Sequence, residues 1–146
     1  MDSPTVKYPL GSLSHIEPRT FGEPGNRTFH LAIEAGPAVA TVWLEKEQLF
    51  QLGLGLQDAL SALSAEDRDK PSSPVDPEWS GTELSLDFKV GQMSLEYGHE
   101  SNSFRLMAFE VQTEDSEVSP EDASSISFWI TAVQAAKVSE ESLRIC

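Results

Sequence analysis

The run Thr28-Phe29-His30-Leu31-Ala32-Ile33-Glu34-Ala35, the break Gly36-Pro37 and the return Ala38-Val39-Ala40-Thr41-Val42-Trp43-Leu44 decide the fold. Phe29, Leu31, Ile33 and Ala35 alternate with Thr28, His30, Ala32 and Glu34, the period-two pattern of a strand with one buried face. With Gly36-Pro37 as a two-residue turn, Ala35 faces Ala38. The register then sets Ile33 opposite Ala40, Leu31 opposite Val42 and Phe29 opposite Leu44 on one face of an antiparallel pair. At the open end of this hairpin, Arg27 meets Glu45 and Lys46 beside the glycine-rich loop Gly22-Glu23-Pro24-Gly25-Asn26-Arg27.

Downstream, Leu49, Leu52, Leu56, Leu60 and Leu63 recur at helical spacing, widened by Phe50 and Leu54, which predicts an amphipathic helix over residues 46–65. Glu45 and Glu47 favour its positive end, although no Ser, Thr, Asp or Asn stands at the cap. Gly53 and Gly55 each cost the helix about 1 kcal/mol relative to Ala. They mark either a close approach by another backbone or a tolerated weakness. Residues 64–82 are polar and proline-broken and read as a long mobile connection, with Trp79 pinned back onto the body.

A three-stranded meander is predicted next. Leu84, Leu86 and Phe88 alternate, Val90-Gly91 turns the chain with Lys89 opposite Gln92, and Met93, Leu95 and Tyr97 alternate in return. Across the loop 98–103, Tyr97 faces Phe104, Leu95 faces Leu106 and Met93 faces Ala108, with Glu96 opposite Arg105 outside. Residues 113–125 form a second mobile loop, acidic and without the oxygen-ligand pattern of a calcium site. Ile126, Phe128 and Ile130 make a last strand, and Thr131 caps a terminal helix. Pro4, Pro9 and Pro18 make residues 1–20 an irregular N-terminal arm, with at most a short edge strand around His15–Glu17 and Arg19–Phe21. The fold class that follows is α+β: one domain over residues 1–146, with a mainly antiparallel sheet of hairpin, meander and single strand, and two helices packed on one side.

Composition narrows the function. The 146 residues carry 24 acidic and 10 basic side chains, a net charge of −14 that repels phosphate backbones and anionic lipid, so neither nucleic acid nor membrane is expected as a partner. So much acid serves solubility or attracts a basic protein partner. No apolar run reaches the ~20 residues needed to span a bilayer, and the start Met1-Asp2-Ser3-Pro4-Thr5 lacks a secretory pattern, so a cytoplasmic location is expected. The single cysteine, Cys146, excludes an internal disulfide, and His15, His30 and His99 lack ligand spacing. No metal and no cofactor are expected.

Gly22-Glu23-Pro24-Gly25-Asn26-Arg27-Thr28-Phe29, Leu44-Glu45-Lys46-Glu47-Gln48, Phe88-Lys89-Val90-Gly91-Gln92-Met93 and Phe128-Trp129-Ile130-Thr131 resemble a bacterial family of unknown function numbered 3090. The resemblance runs from about Phe21 to Ile145. It implies a Cys-Pro-x-Cys zinc-ribbon-like tail for the family, and this chain stops about where that tail would begin. Cys146 falls several residues before the first expected ligand, so the resemblance implies no metal role for it. It implies no activity either.

The candidate ligand-binding residues are Glu23, Gly25, Asn26, Arg27, Glu45 and Lys46, and no catalytic residue is assigned. Gly22 and Gly25 permit backbone angles that other residues avoid, and Pro24 stiffens the loop between them. Arg27 and Lys46 face each other, which calls for an intervening carboxylate or bound anion. A noncatalytic binding or adaptor domain, acting through protein–protein or small-anion contacts, is the first reading. The alternative is a hydrolase-type enzyme on a phosphorylated or carboxylated small molecule, with Asn26 and loop amides holding an oxyanion and Glu23 or Glu45 as general acid or base. A purely structural reading has Glu45 or Glu23 bridging Arg27.

Overall fold

The computed structural model describes residues 6–23, 25–79, 83–111 and 123–146. Among them, strands β1 (Tyr8–Ser12), β2 (His15–Phe21), β3 (Thr28–Ala35), β4 (Ala38–Leu44), β5 (Leu84–Gly98), β6 (Ser103–Glu110) and β7 (Ser125–Ile130) form one sheet in the order β1-β7-β6-β5-β4-β3-β2. Helices α1 (Lys46–Ala62), α2 (Ala65–Asp69) and α3 (Ala132–Ile145) complete an α+β domain. No helix among the described residues is long and apolar enough to cross a membrane.

The β3–β4 register is the one the alternation predicts, with Ile33 opposite Ala40, Leu31 opposite Val42 and Phe29 opposite Leu44. The β5–β6 register also holds, from Met93 opposite Ala108 to Tyr97 opposite Phe104, and Arg105 Nη1 lies 3.0 Å from Glu96 Oε1. The sheet as a whole departs from the expected one. It is mixed, because β4 pairs parallel with β5 and β1 pairs parallel with β7. Leu84–Tyr97 does not turn at Val90-Gly91 but continues as one strand, paired with β4 up to Lys89 and with β6 from Val90. Gly91 is a register irregularity within the β5–β6 ladder, between Val90 opposite Glu110 and Gln92 opposite Phe109, and a Cβ there would lie 2.8 Å from Val111 Cα. The two strands predicted over 84–97 are therefore one, the antiparallel run consists of the second half of β5 with β6 and β7, and the first half of β5 belongs beside the hairpin.

The N-terminal segment is likewise not an irregular arm. Seven strands laid flat put the outer two about 29 Å apart at ~4.8 Å per spacing, whereas the three steps from Ser12 to His15 span at most about 11 Å. The sheet must curl until its edges meet. Leu13 N–H donates to Trp129 O of β7 at 3.0 Å and Ser14 N–H donates to Glu34 O of β3 at 2.9 Å, closing that corner. Gly11 makes the bend possible at φ +75°, where a Cβ would sit 2.5 Å from Val75 O. Pro18 lies within β2, an edge position where its missing donor is tolerated.

Both long helices begin with a glutamine that ties them to a bend of the sheet. In α1, Gln48 Oε1 accepts from Glu45 N–H at 2.7 Å, while its Nε2 donates to Val90 O at 3.1 Å beside the β5 irregularity. In α3, Thr131 Oγ1 accepts from Gln134 N–H at 3.1 Å as predicted, and Gln134 Nε2 donates to Leu13 O at the β1–β2 corner. The helices pack on each other through Gly53, whose added Cβ would approach Leu143 Cγ to 3.1 Å and Ser142 Cβ to 3.3 Å. Ser139 Oγ donates to Gly53 O at 2.7 Å there. Leu49, Leu52 and Leu56 join Phe29, Leu31, Phe88, Leu106 and Phe128 in one core, while Leu60, Leu86 and Leu95 are only partly buried.

The connection after α1, expected to be mobile, is tied to the body. Ser12 and Val75 exchange bonds, Glu78 N–H donates to Pro9 O, and Ser73 N–H donates to Ser101 O. Asn102, at φ 53°, donates from Nδ2 to the carbonyls of Asp67 and Lys70 and accepts from the Tyr97 hydroxyl. Trp79 packs against the core as expected. The acidic run 112–122 lies outside the described residues.

Candidate functional site

The loop 22–27 is the tip of a β2–β3 hairpin, since Phe21 pairs with Thr28 and Thr20 with Phe29. Gly22 and Gly25 both take positive φ, +102° and +90°, and Asn26 N–H donates to Glu23 O at 2.9 Å to make the turn. Only Gly fits at position 22, where a Cβ would lie 2.5 Å from Asn26 O. Beyond the last β3–β4 pair, Phe29 with Leu44, the chain splays into Arg27-Thr28 on one side and Glu45-Lys46 on the other, where α1 begins.

Glu23, Gly25, Asn26, Arg27, Glu45 and Lys46 are all exposed on this end of the molecule. Glu45 does not bridge Arg27. Its Oε1 lies 2.6 Å from Lys89 Nζ on β5, and neither Arg27 nor Lys46 has a carboxylate partner among the described residues. Lys89 thus joins the neighbourhood, a residue the sequence reading placed in a hairpin of its own. Cys146 Sγ stands 3.6 Å from Lys46 O, bringing the end of α3 to the start of α1, and burial pushes its thiol pKa up.

Behind the loop, on the outward side of β2–β4, an aromatic stack replaces the merely polar face expected around His30. His30 is only 5 % exposed, its ring stacked on Phe21 at 5.3 Å and 13° and tilted against Trp43 at 4.8 Å. Trp43 Nε1 donates to Asp87 Oδ1 at 2.8 Å, and His30 Nδ1 is buried without a hydrogen-bond partner. Burial, then the Arg19 charge opposite on β2, holds the imidazole below its ordinary pKa. The signal available in the sequence was Phe21, His30 and Trp43 meeting on adjacent strands, which only the β2–β3 register exposes. No group of His, Cys, Asp and Glu suited to a metal ion occurs among the described residues.

A curled mixed sheet with two Gln-anchored helices and an exposed hairpin end carrying Arg27 and Lys46 defines a small α+β domain. The chain belongs to the family described as "Protein of unknown function (DUF3090)", whose model matches residues 8–146. No curated protein and no solved structure matches it.

Proposed function

We propose that the protein is a noncatalytic binding domain that engages another protein, or a carboxylate- or phosphate-bearing ligand, through the end built from Glu23, Gly25, Asn26, Arg27 and Lys46. One observation carries the reading. In a chain with 24 acidic against 10 basic residues, Arg27 and Lys46 are exposed and lack a carboxylate partner among the described residues. Leaving two cations unneutralised amid such an excess of acid favours a function that supplies the anion from outside. The hydrolase alternative draws less support, because Glu45, one of its two candidate acid–base residues, pairs with Lys89 and leaves Glu23 alone to serve it.

Affinity capture with wild type, Arg27→Gln and Lys46→Gln, read by quantitative mass spectrometry, tests it. Proteins held by wild type and lost from both variants, at unchanged melting temperature, are the expected result. Equal capture by all three, or a marked fall in melting temperature with capture retained, would leave these side chains a structural role only.

A further inference from the structure

A second site lies on the other flank of α1. A cleft of about 640 Å³ separates the start of α1 from the second half of β5. Gly91 through Leu95 line it in unbroken succession. A strand that floors a groove with its face contributes every second residue, so an unbroken run means that the edge of β5 lines the cleft. Topology accounts for this. β4 pairs with β5 only as far as Trp43 opposite Lys89 and ends at Leu44, where the chain turns into α1. From Gln92 to Gly98, β5 is paired with β6 alone among the described residues.

Antiparallel pairing turns every second residue's N–H and C=O away from the partner strand. Gln48 occupies the first of the free groups by donating to Val90 O and Gly91 O. Beyond Gly91, no backbone group on that side is bonded to another part of the described chain. Across the cleft, Glu47, Gln48, Gln51, Leu52 and Gly55 present one helix face. Gly55 keeps it open, since a Cβ there would meet nothing nearer than Leu95 Cδ2 at 3.8 Å.

We infer that this cleft binds an extended segment of another protein, which adds as a strand to the free edge of β5 between Gln92 and Tyr97. Unpaired backbone donors and acceptors in a row are complementary to another backbone, and strand addition beside a helix satisfies them while pockets for alternate side chains give selectivity. Leu52, Met93, Leu95 and Phe109 supply an apolar lining, and Glu47 is the one charged residue in it among the described residues. The segment is therefore apolar at alternate positions and carries Lys or Arg at the end beside Glu47, in keeping with a net charge of −14. A second copy of this chain fits poorly, because its own β5 edge is recessed beside its own α1. The site stands apart from the cationic hairpin end and does not depend on Arg27.

The test pans a phage-displayed library of short random peptides against the full chain and measures fluorescein-labelled synthetic versions of the recovered sequences. Backbone N-methylation along a binder should weaken it about tenfold at alternate residues and little at those between, since only one parity faces the β5 edge. Gly55→Leu should fill the cleft and abolish binding while holding or raising the melting temperature, because Leu is the better helix former. Arg27→Gln should bind the peptide as wild type does, which separates this site from the hairpin end. Recovery of no binder, a methylation profile without alternation, or peptide binding retained by Gly55→Leu would overturn the inference. So would a concentration-dependent dimer that Gly55→Leu dissolves, which would make the occupant a second copy.

Discussion

The Glu45 carboxylate meets the Lys89 ammonium at 2.6 Å, joining the residue that precedes α1 to the last β5 residue paired with β4. The pair sits where α1 leaves the sheet, between the cationic hairpin end and the cleft. Its two side chains are 66 % and 54 % exposed, so solvent screens the attraction. A double-mutant cycle of Glu45→Gln and Lys89→Gln should give a coupling below about 1 kcal/mol. A coupling of several kcal/mol in urea denaturation would instead make this pair a principal anchor of α1.

The two glycines of α1 should respond in opposite directions. Gly53 is buried against α3, and any larger side chain must enter contacts already at 3.1–3.3 Å from Leu143 and Ser142. Gly53→Leu should lose about 1–3 kcal/mol to overpacking. Gly55 faces open cleft, so Gly55→Ala should gain about 0.5–1 kcal/mol from helix propensity alone. Thermal unfolding of the two variants decides the matter, and stabilisation by Gly53→Leu would show that the α1–α3 contact yields easily.

These elements also mark what the sequence discloses. The β3–β4 register is legible because one buried face forces strict alternation from Phe29 to Ala35, and the Thr131 cap is legible because its chemistry is local. β1 is not legible: Tyr8–Ser12 contains Pro9 and Gly11, and it is held by parallel pairing to a strand more than a hundred residues away. The continuity of β5 has left a trace. Its apolar positions run Leu84, Leu86, Phe88, Val90 and then Met93, Leu95, Tyr97, a change of parity at Gly91. One inserted residue flips the face, as a bulge does. Read as a turn, the same dipeptide paired the two halves of β5 with each other, which moved Lys89 away from Glu45 and concealed the cleft. At the hairpin end, Arg27 and Lys46 follow from register, whereas the partner taken by Glu45 depends on the β4–β5 pairing.

Leu56 tests how far the leucine stripe of α1 belongs to the common core. Its side chain is fully buried at 0 % exposure, among residues from the sheet and α1. Leu56→Ala should cost about 2–5 kcal/mol, whereas Phe50→Ala, at a residue 39 % exposed, should cost much less. Equal losses from the two substitutions would mean that the helix presents a different face to the core.

His30 gives the fold a dependence on pH whose sign follows from its surroundings. Burial between Phe21 and Trp43, with Arg19 opposite, lowers its pKa from the ordinary 6.5, while Asp87 and Glu17 act in the other direction and do not prevail. Well above pH 6.5 the imidazole is neutral in both folded and unfolded chains, so it adds no slope. Below that value the unfolded chain takes up a proton first, and stability falls as pH drops toward the folded-state pKa. His30→Phe keeps a ring in the stack and removes the unpartnered Nδ1, so stability near neutrality should be held or raised. Urea midpoints measured from about pH 8 to pH 5 should fall for wild type below about pH 6.5 and fall less for the variant. Parallel curves for the two proteins would assign the acid loss to the carboxylates and leave His30 without a part in it.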